Sequence, residues 1–277
     1  MAELTVRGCG TPRRLPGIGP LFFGQFQYQM ILLSRNPRAL VAGLVVPPLL
    51  LAVELGRVPN MGGTAAGMAA LAPRVAGLLL FAAAAIALFT HASTLVVARE
   101  DGVLRRWRAA PLPPGVYFSA KITATVLAAD LGQMILVLVS VGMARLHLTA
   151  HAVVAMLVIG TLGALAFAAV GTALTALVST AQSAQPVLML SYLPLVFLSG
   201  AFGPLGNLPQ WLTTAISCLP AQPIVDATSH ALLHSGGALI PERDAAVLLG
   251  WLAVGLLGSL RFFRWDQHRP GRTRPDR

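Results

Sequence analysis

The sequence predicts an all-α membrane protein with six transmembrane helices. Hydrophobic residues make up 56% of its 277 residues. Charged residues make up only 11%, whereas a soluble domain carries about 25%. Several apolar stretches approach the length of about 20 residues that crosses a bilayer. The net charge of +10 comes from basic residues that lie between and beyond these stretches. That distribution is typical of membrane topology and not of nucleic-acid binding.

The N-terminal region predicts a tail followed by a helix at the membrane surface. Residues 1–20 are rich in Gly, Pro and Arg and indicate a flexible tail. Residues 21–35 place apolar side chains on one helical face, namely Phe22, Phe26, Met30 and Leu33. Gln25 and Gln29 fall on another face. The segment is short and polar for a span, so an amphipathic interfacial helix is predicted. The alternative is that it forms the first turns of span 1.

Residues 36–263 contain the six predicted spans, and residues 264–277 form a basic tail. The spans are predicted at 37–55, 75–97, 122–144, 152–178, 184–201 and 245–263. Asn36 is suited to cap span 1, with Pro37 at the first helical position. Residues 56–74 are predicted to form a Gly-rich loop. No cleaved signal peptide is apparent, because the first apolar stretch follows a long polar lead.

The distribution of basic residues predicts the orientation. Sixteen lie in the N-terminal region, the loop between spans 2 and 3, and the C-terminal region: Arg7, Arg13, Arg14, Arg35, Arg38, Arg99, Arg105, Arg106, Arg108, Lys121, Arg261, Arg264, Arg269, Arg272, Arg274 and Arg277. Four lie on the other side: Arg57, Arg74, Arg145 and Arg243. The positive-inside rule therefore predicts that both termini and the 98–114 loop are cytoplasmic. Cys9 and Cys218 would then lie on opposite faces and could not pair.

The 98–114 loop has an unusual charge density for this chain. Seven charges lie between Arg99 and Lys121. The stretch "REDGVLRRW" predicts a short helix with its acids in the first turn and arginines after them, which suits the helix dipole. "PLPP" then ends it, because proline cannot continue a helix. These features predict a rigid charged protrusion at the cytoplasmic surface. The alternative is positive-inside anchoring with contact to lipid headgroups.

The same loop resembles the signature loop of ABC-2 type transporter permeases. The matching positions are Arg99, Glu100, Gly102, Leu104, Arg106, Pro111, Pro113 and Lys121. "LLSRNPRAL" resembles the family's lead into span 1, and "LSGAFGPLGNLPQWL" with "LPAQPIVDA" resembles the stretch after span 5. The chain departs from the family at Val103, where threonine is common, and at Ala120, where glycine is common.

The resemblance implies a non-enzymatic transport subunit that works with a separate ABC ATPase. The docking residues would be Arg99, Glu100, Asp101, Gly102, Leu104, Arg106 and Pro111. The sequence holds no G-x-x-x-x-G-K-[ST] motif, so ATP and magnesium would bind the partner. Two ATPase copies and a second permease, identical or similar, would complete the transporter. The implied setting is a bacterial inner membrane and the implied type is a daunorubicin or multidrug exporter.

The resemblance also implies that residues 202–243 form a re-entrant extracellular gate before span 6. Candidate gate residues are Phe202, Pro209, Trp211, Pro220 and Asp226. Irregular backbone of this kind is tolerated in a membrane only where protein or a cavity surrounds it. Asp226, His230 and His234 share one helical face, which favours a polar surface over a zinc site. Asp244 is expected to cap span 6.

Three polar residues in or near the spans are candidates for the pathway or the subunit interface: Asp130, Gln133 and Glu54. Asp130 lies near mid-membrane, where a charge costs about 2.5–3.5 kcal/mol. It either lines a pathway or interface, or stays neutral and bonds to Gln133 or to a neighbouring span. Glu54, near the outer end of span 1, is expected to pair with Arg57. His91 is expected to be a hydrogen-bond donor in helix packing.

The sequence favours an amphipathic drug, natural product or lipid-like substrate, because the spans are rich in Ala, Leu, Val and Gly. A polysaccharide or glycolipid exporter is the alternative, disfavoured by the few aromatic residues in the spans. An intramembrane enzyme is the rival class, and it would need catalytic partners that Asp130 and His91 do not clearly have. Two cysteines without clustered histidines predict no metal site.

Overall fold

The computed structural model of the chain describes residues 17–57, 65–109, 113–144, 148–199, 209–234 and 236–262. Regular structure in these ranges is helical throughout. The α-helices are α1 (Ile18–Ser34), α2 (Pro37–Leu40), α3 (Val46–Arg57), α4 (Ala65–Ala84), α5 (His91–Glu100), α6 (Val103–Ala109), α7 (Pro114–Ala144), α8 (Ala150–Leu174), α9 (Ala181–Leu198), α10 (Gln210–Ser217), α11 (Ala221–Leu233) and α12 (Glu242–Phe262).

Six helical stretches within the described ranges are long and apolar enough to cross a bilayer. They are Pro37–Leu55, Ala66–Glu100, Pro114–Met143, Ala150–Leu177, Ala181–Leu198 and Glu242–Phe262, taken below as spans 1 to 6. The predicted all-α fold with six spans is confirmed. Two stretches of wider π-helix, Val41–Val45 and Ala85–Thr90, continue spans 1 and 2 between their α-helices.

Span 2 is longer than the sequence pattern predicts. The predicted loop at 56–74 is wrong over its second half, because α4 begins at Ala65. The stretch from Ala65 to Arg74 is rich in alanine, which favours helix even where hydropathy is modest. Residues 58–64 lie outside the described part of the chain. At its other end span 2 extends to Glu100 and not 97, so it carries the first charges of the predicted loop.

The N-terminal helix is separate from span 1 and turns its polar face toward the protein. It begins at Ile18, three residues inside the predicted tail, and Arg35 and Asn36 separate it from α2. The Asn36 side chain accepts a hydrogen bond from the Ala39 N–H at 3.3 Å, which confirms the predicted cap. Gln25 and Gln29 are buried, whereas Phe23 and its apolar neighbours Ile31 and Leu32 are exposed.

Span 2 is the central helix of the bundle and spans 5 and 6 are peripheral. Most of span 2 is buried, and its small residues form the centre of the largest apolar cluster, which includes Ala83, Ala84 and Ala87. Phe167 of α8 is fully buried in the same cluster. Alanine lets neighbouring helices approach closely, which is how helices associate in a membrane. Span 6 packs along α8 and leaves most of its surface exposed.

Candidate functional site

The predicted protrusion consists of the end of α5, a tight turn and α6. The turn depends on Gly102, whose φ of +71° lies in the left-handed region that favours glycine. Its N–H donates to the Arg99 carbonyl at 3.2 Å, which ends α5. A side-chain carbon at Gly102 would meet no atom of the described chain within 4 Å, so the backbone conformation requires glycine and close packing does not.

The two acids lie outside the short helix, and this part of the prediction is wrong. Glu100 is the last residue of α5 and Asp101 lies in the turn, whereas α6 holds no acid in its first turn. The reason is that Gly102 ends one helix before the next begins. α6 ends at Ala109 and α7 starts at Pro114, consistent with the predicted stop at "PLPP". Pro111 lies outside the described residues.

Apolar packing fixes α6 against its neighbours. Leu104 is fully buried and packs with Leu95 of α5 and Tyr117 of α7. Trp107 meets Tyr28 of α1 edge to face, with ring centroids 6.1 Å apart. α6 is therefore held by three other helices. Glu100, Asp101 and Arg106 remain exposed along this protrusion and present both signs of charge.

Arg99 does not lie on that exposed surface. Its side chain is only 7% exposed. One guanidinium nitrogen donates to the Thr175 carbonyl at 2.9 Å and another donates to the Val178 carbonyl. The Thr175 carbonyl lies in the last turn of span 4, and the Val178 carbonyl begins the turn between spans 4 and 5. Arg99 therefore supports the protrusion from inside the protein, because it connects the end of span 2 to that turn.

Glu100 contacts the other end of the same turn. Its carboxylate accepts a hydrogen bond from the Ala181 N–H at 2.6 Å, at the start of α9. Negative charge is favoured at a helix N-terminus. Thr180 and Ser183 cap the same helix reciprocally. Residues 178–181, named here the inner turn, are thus held by both Arg99 and Glu100. The Thr180–Ser183 spacing gave a local signal for the cap, but nothing in the sequence pointed to Arg99 or Glu100 as its partners.

Asp130 is half-buried and has partners within the chain. Its carboxylate accepts from the Thr161 hydroxyl of α8 at 2.9 Å and from the Gln133 amide at 3.5 Å. The Gln133 side chain occupies the space that a Cβ atom at position 160 would fill, so Gly160 allows spans 3 and 4 to approach closely. The predicted bond to Gln133 is present, and Thr161 is a partner that the sequence did not indicate.

Glu54 pairs across helices. Its carboxylate lies 3.1 Å from the Arg74 guanidinium of α4, which joins spans 1 and 2. The sequence indicated Arg57, three residues away, because only local spacing was visible. The Arg57 side chain lies outside the described part of the structure. His91 is buried between two helices and hydrogen-bonds Thr125 at 3.0 Å and Thr172 at 2.9 Å, in agreement with the predicted packing role.

The candidate gate contains two short helices, α10 and α11. Pro209 precedes α10, Trp211 is 71% exposed on it, and Pro220 precedes α11. Phe202 lies outside the described residues. Eight residues of α11 are buried, and the helix packs against α4 and α8. The sequence patterns suggested a helix here but could not show that spans 2 and 4 receive it.

The polar residues of the gate form no metal site among the described residues. The Gln222 amide donates to Asp226 at 2.9 Å, and the His230 and His234 rings stack 4.3 Å apart. Partial burial raises the pKa of the Asp226 carboxyl, while Gln222 and the charge of Arg243 oppose that shift. The predicted cap of span 6 by Asp244 is wrong: α12 begins at Glu242, which places Asp244 within its first turn.

These features define a multi-pass helical membrane protein with a packed, charged protrusion between spans 2 and 3. The sequence profile of the family described as ABC-2 type transporter matches residues 21–233. The chain belongs to this family, as its resemblance indicated, and is a membrane permease subunit of an ABC transporter. Permeases of the family work with an ABC ATPase. No curated protein sequence matches the chain.

Proposed function

We propose that this chain is the permease subunit of an ATP-driven exporter of amphipathic drugs, natural products or lipid-like molecules, of the daunorubicin and multidrug type. It would lie in a bacterial inner membrane with both termini in the cytoplasm and contribute to antibiotic resistance. Family membership and the six apolar spans support the general role. The sixteen-to-four distribution of basic residues supports the orientation.

The α6 protrusion is the observation that carries the proposal. A docking element must keep its shape when a partner pushes on it. Packing of Leu104 and Trp107 against neighbouring helices supplies that rigidity. Asp101 and Arg106 are exposed on the face that the charge distribution assigns to the cytoplasm, where an ATPase would bind. Electrostatic complementarity of such groups chiefly sets orientation and association rate.

Energy would enter through that partner. The sequence lacks the phosphate-binding motif of ATPases, so two ATPase subunits with ATP and magnesium would supply hydrolysis. The proposed assembly has a second permease copy, or a similar permease, beside this one. Asp130 would line the pathway or the permease interface, and the α10–α11 segment with Trp211 would form the re-entrant outer gate.

Reconstitution with the cognate ATPase tests this function. Vanadate-sensitive movement of daunorubicin and of a fluorescent phospholipid would be measured in liposomes. We expect the charge reversal Arg106→Glu to reduce ATPase binding and transport, because it inverts an exposed docking charge. Arg38→Glu, a matched change at an exposed arginine of α2, should leave both near wild type. A chain that binds no ATPase and moves neither probe would refute the proposal, and movement of a lipid-linked glycan instead would support the polysaccharide alternative.

Accessibility of the two cysteines tests the orientation. Each would be kept as the single cysteine and treated with a membrane-impermeant maleimide on intact cells. Cys218 is exposed between α10 and α11, so labelling is expected there. Cys9 is expected to react only after permeabilisation. Labelling of Cys9 on intact cells would overturn the proposed topology.

A further inference from the structure

A small cleft with polar groups in an otherwise apolar lining lies between α1, span 2 and span 3. Its volume is about 20 Å³, and its polar lining comes from three helices: Gln29, Thr90, His91, Thr94, Lys121 and Thr125. Leu32 of α1 also lines the cleft and is 44% exposed, so the cleft reaches the surface beside α1. A space of this size admits one oxygen atom with its hydrogen-bonding partners and excludes a whole sugar or nucleotide.

Lys121 gives the cleft its charge. Its side chain is 5% exposed, and its ammonium donates to the Thr94 hydroxyl at 3.0 Å. The Thr94 hydroxyl in turn donates to the His91 carbonyl at 3.0 Å, which fixes its lone pairs toward the lysine. An ammonium has three N–H donors, so two remain for a ligand. Among the described residues no carboxylate forms an ion pair with Lys121.

Lys121 lies near the boundary between the lipid headgroups and the hydrocarbon core. Span 3 has 30 residues and is therefore about 45 Å long, about 15 Å longer than the hydrocarbon core. Centred in the bilayer, it extends about 7 Å beyond the core at each end. Lys121 follows Pro114 by seven residues, or about 10 Å along the axis, close to the boundary between headgroups and acyl chains.

The surface beside the cleft is apolar. Phe23, Ile31 and Leu32 of α1 are between 44% and 58% exposed, whereas Gln25 and Gln29 of the same helix face inward. An acyl chain can lie along the outer residues while a polar group enters between helices. Basic pockets between transmembrane helices on the cytoplasmic side are a known means of binding anionic headgroups.

We propose that the cleft is a binding site for the phosphate group of an anionic phospholipid, with Lys121 as its cationic residue. One phosphate oxygen enters the cleft and accepts from the Lys121 ammonium, and the acyl chains lie along the exposed residues of α1. A phospholipid fits better than free phosphate, because the cleft admits a single oxygen and opens beside an apolar surface. The site is proposed in addition to the transport pathway, and none of its lining residues is among those assigned to the pathway or the gate.

The chain offers a selective probe, because Lys121 is its single lysine. Biosynthetic incorporation of lysine labelled with ¹³C at Cε places one label beside this ammonium and leaves its charge and its three N–H donors unchanged. The full chain would be placed in nanodiscs of phosphatidylcholine alone or mixed with phosphatidylglycerol. We expect the lysine Cε signal to shift with phosphatidylglycerol and to be unchanged by inorganic phosphate added to phosphatidylcholine discs.

Native mass spectrometry provides the second measurement. We expect Lys121→Gln to lower retention of phosphatidylglycerol about tenfold or more. This is the loss of affinity expected when one hydrogen bond to a charged group is removed. Lys121→Arg should retain the lipid, and Arg38→Gln on the exposed surface of α2 should behave as wild type. Equal retention by Lys121→Gln and wild type would overturn the site, as would a lysine Cε signal that phosphatidylglycerol does not shift. If inorganic phosphate alone shifts the Cε signal to the same extent, the site binds a soluble anion and the lipid proposal is overturned. If Lys121→Gln does not fold, the Cε signal of the wild type decides alone.

Discussion

Replacement of Arg99 by methionine should destabilise the protein more than any change on the exposed surface of the protrusion. Methionine keeps the length and apolar packing of the arginine but removes both hydrogen bonds to the carbonyls of Thr175 and Val178. Those carbonyls lie at the C-terminal end of span 4, where the helix dipole favours a positive charge. Arg99 is buried, so water replaces the lost donors poorly.

Two limits bracket the size of the effect. Interhelical hydrogen bonds in membranes average about 0.6 kcal/mol, which gives about 1 kcal/mol for two. Hydrogen bonds to charged groups in soluble proteins contribute about 1.5–3 kcal/mol each, which gives about 3–6 kcal/mol. Arg99 lies at the end of span 2, between these two environments. We therefore expect the free energy of unfolding to fall by about 2–4 kcal/mol.

Unfolding in mixed micelles, followed by circular dichroism as a denaturing detergent is added, measures this change. Arg106→Met is the matched control, because Arg106 is exposed on α6 and makes no described side-chain hydrogen bond. It should change the free energy by less than about 0.5 kcal/mol while weakening ATPase binding. Equal stability of Arg99→Met and wild type, or equal losses in the two variants, would refute the assignment of Arg99 to the interior.

Four further changes test other parts of the fold and the site. Glu100→Ala should reduce transport and substrate-stimulated ATP hydrolysis while membrane insertion stays normal. The free energy of unfolding should fall by about 1 kcal/mol or less, because the change removes one helix-capping carboxylate. Wild-type values of both activities would argue against a role of Glu100 in coupling. Gly102→Ala should cost about 1–2 kcal/mol in the same unfolding assay, since φ is +71° there. Asp130→Asn should keep transport if hydrogen bonding is its role, and Asp130→Leu should lose it; a loss in both would indicate a need for the charge. Gly160→Ala should lower thermal stability because a side chain from span 3 occupies that space, whereas Gly142→Ala, in open space, should not.

The spans and the protrusion could be predicted from the sequence because their signals are local. Hydropathy located all six spans, and the Asn36–Pro37 pair located the start of the first. The prolines that follow α6 marked its end, whereas the break at Gly102 was missed because the helix was predicted to run through that residue. The error at 56–74 has a physical cause: Pro73 and Arg74 lower the hydropathy of the stretch that begins α4, whereas its alanines are strong helix formers.

The partners of the polar residues could not be predicted, because they depend on helix packing. Arg99 contacts carbonyls 76 and 79 residues away, and backbone acceptors carry no sequence signal. Glu54 pairs with Arg74 of the next helix, a partner that local spacing does not reveal. The sequence did not show which face of α1 points toward the protein, because that also depends on helix packing. In a bilayer the surroundings are apolar, so the glutamines turn toward the protein.

Hydrogen bonds connect the protrusion to the middle of the bundle through span 4. The His91 ring bonds the Thr172 hydroxyl at 2.9 Å, and the Thr175 hydroxyl donates to the Thr172 carbonyl at 2.6 Å. The Thr175 carbonyl then accepts from Arg99, whose neighbour Glu100 bonds the start of span 5. A partner that displaces α6 would therefore pull on the ends of spans 4 and 5 through the inner turn, as well as on α7 through Leu104. Contiguous hydrogen-bonded networks of this kind are one means by which coupling between distant sites is carried. The long α7 packs along α1 and α8, whereas span 5 lies at the edge of the bundle with most of its surface exposed, so movement delivered by an ATPase would be taken up first by span 5.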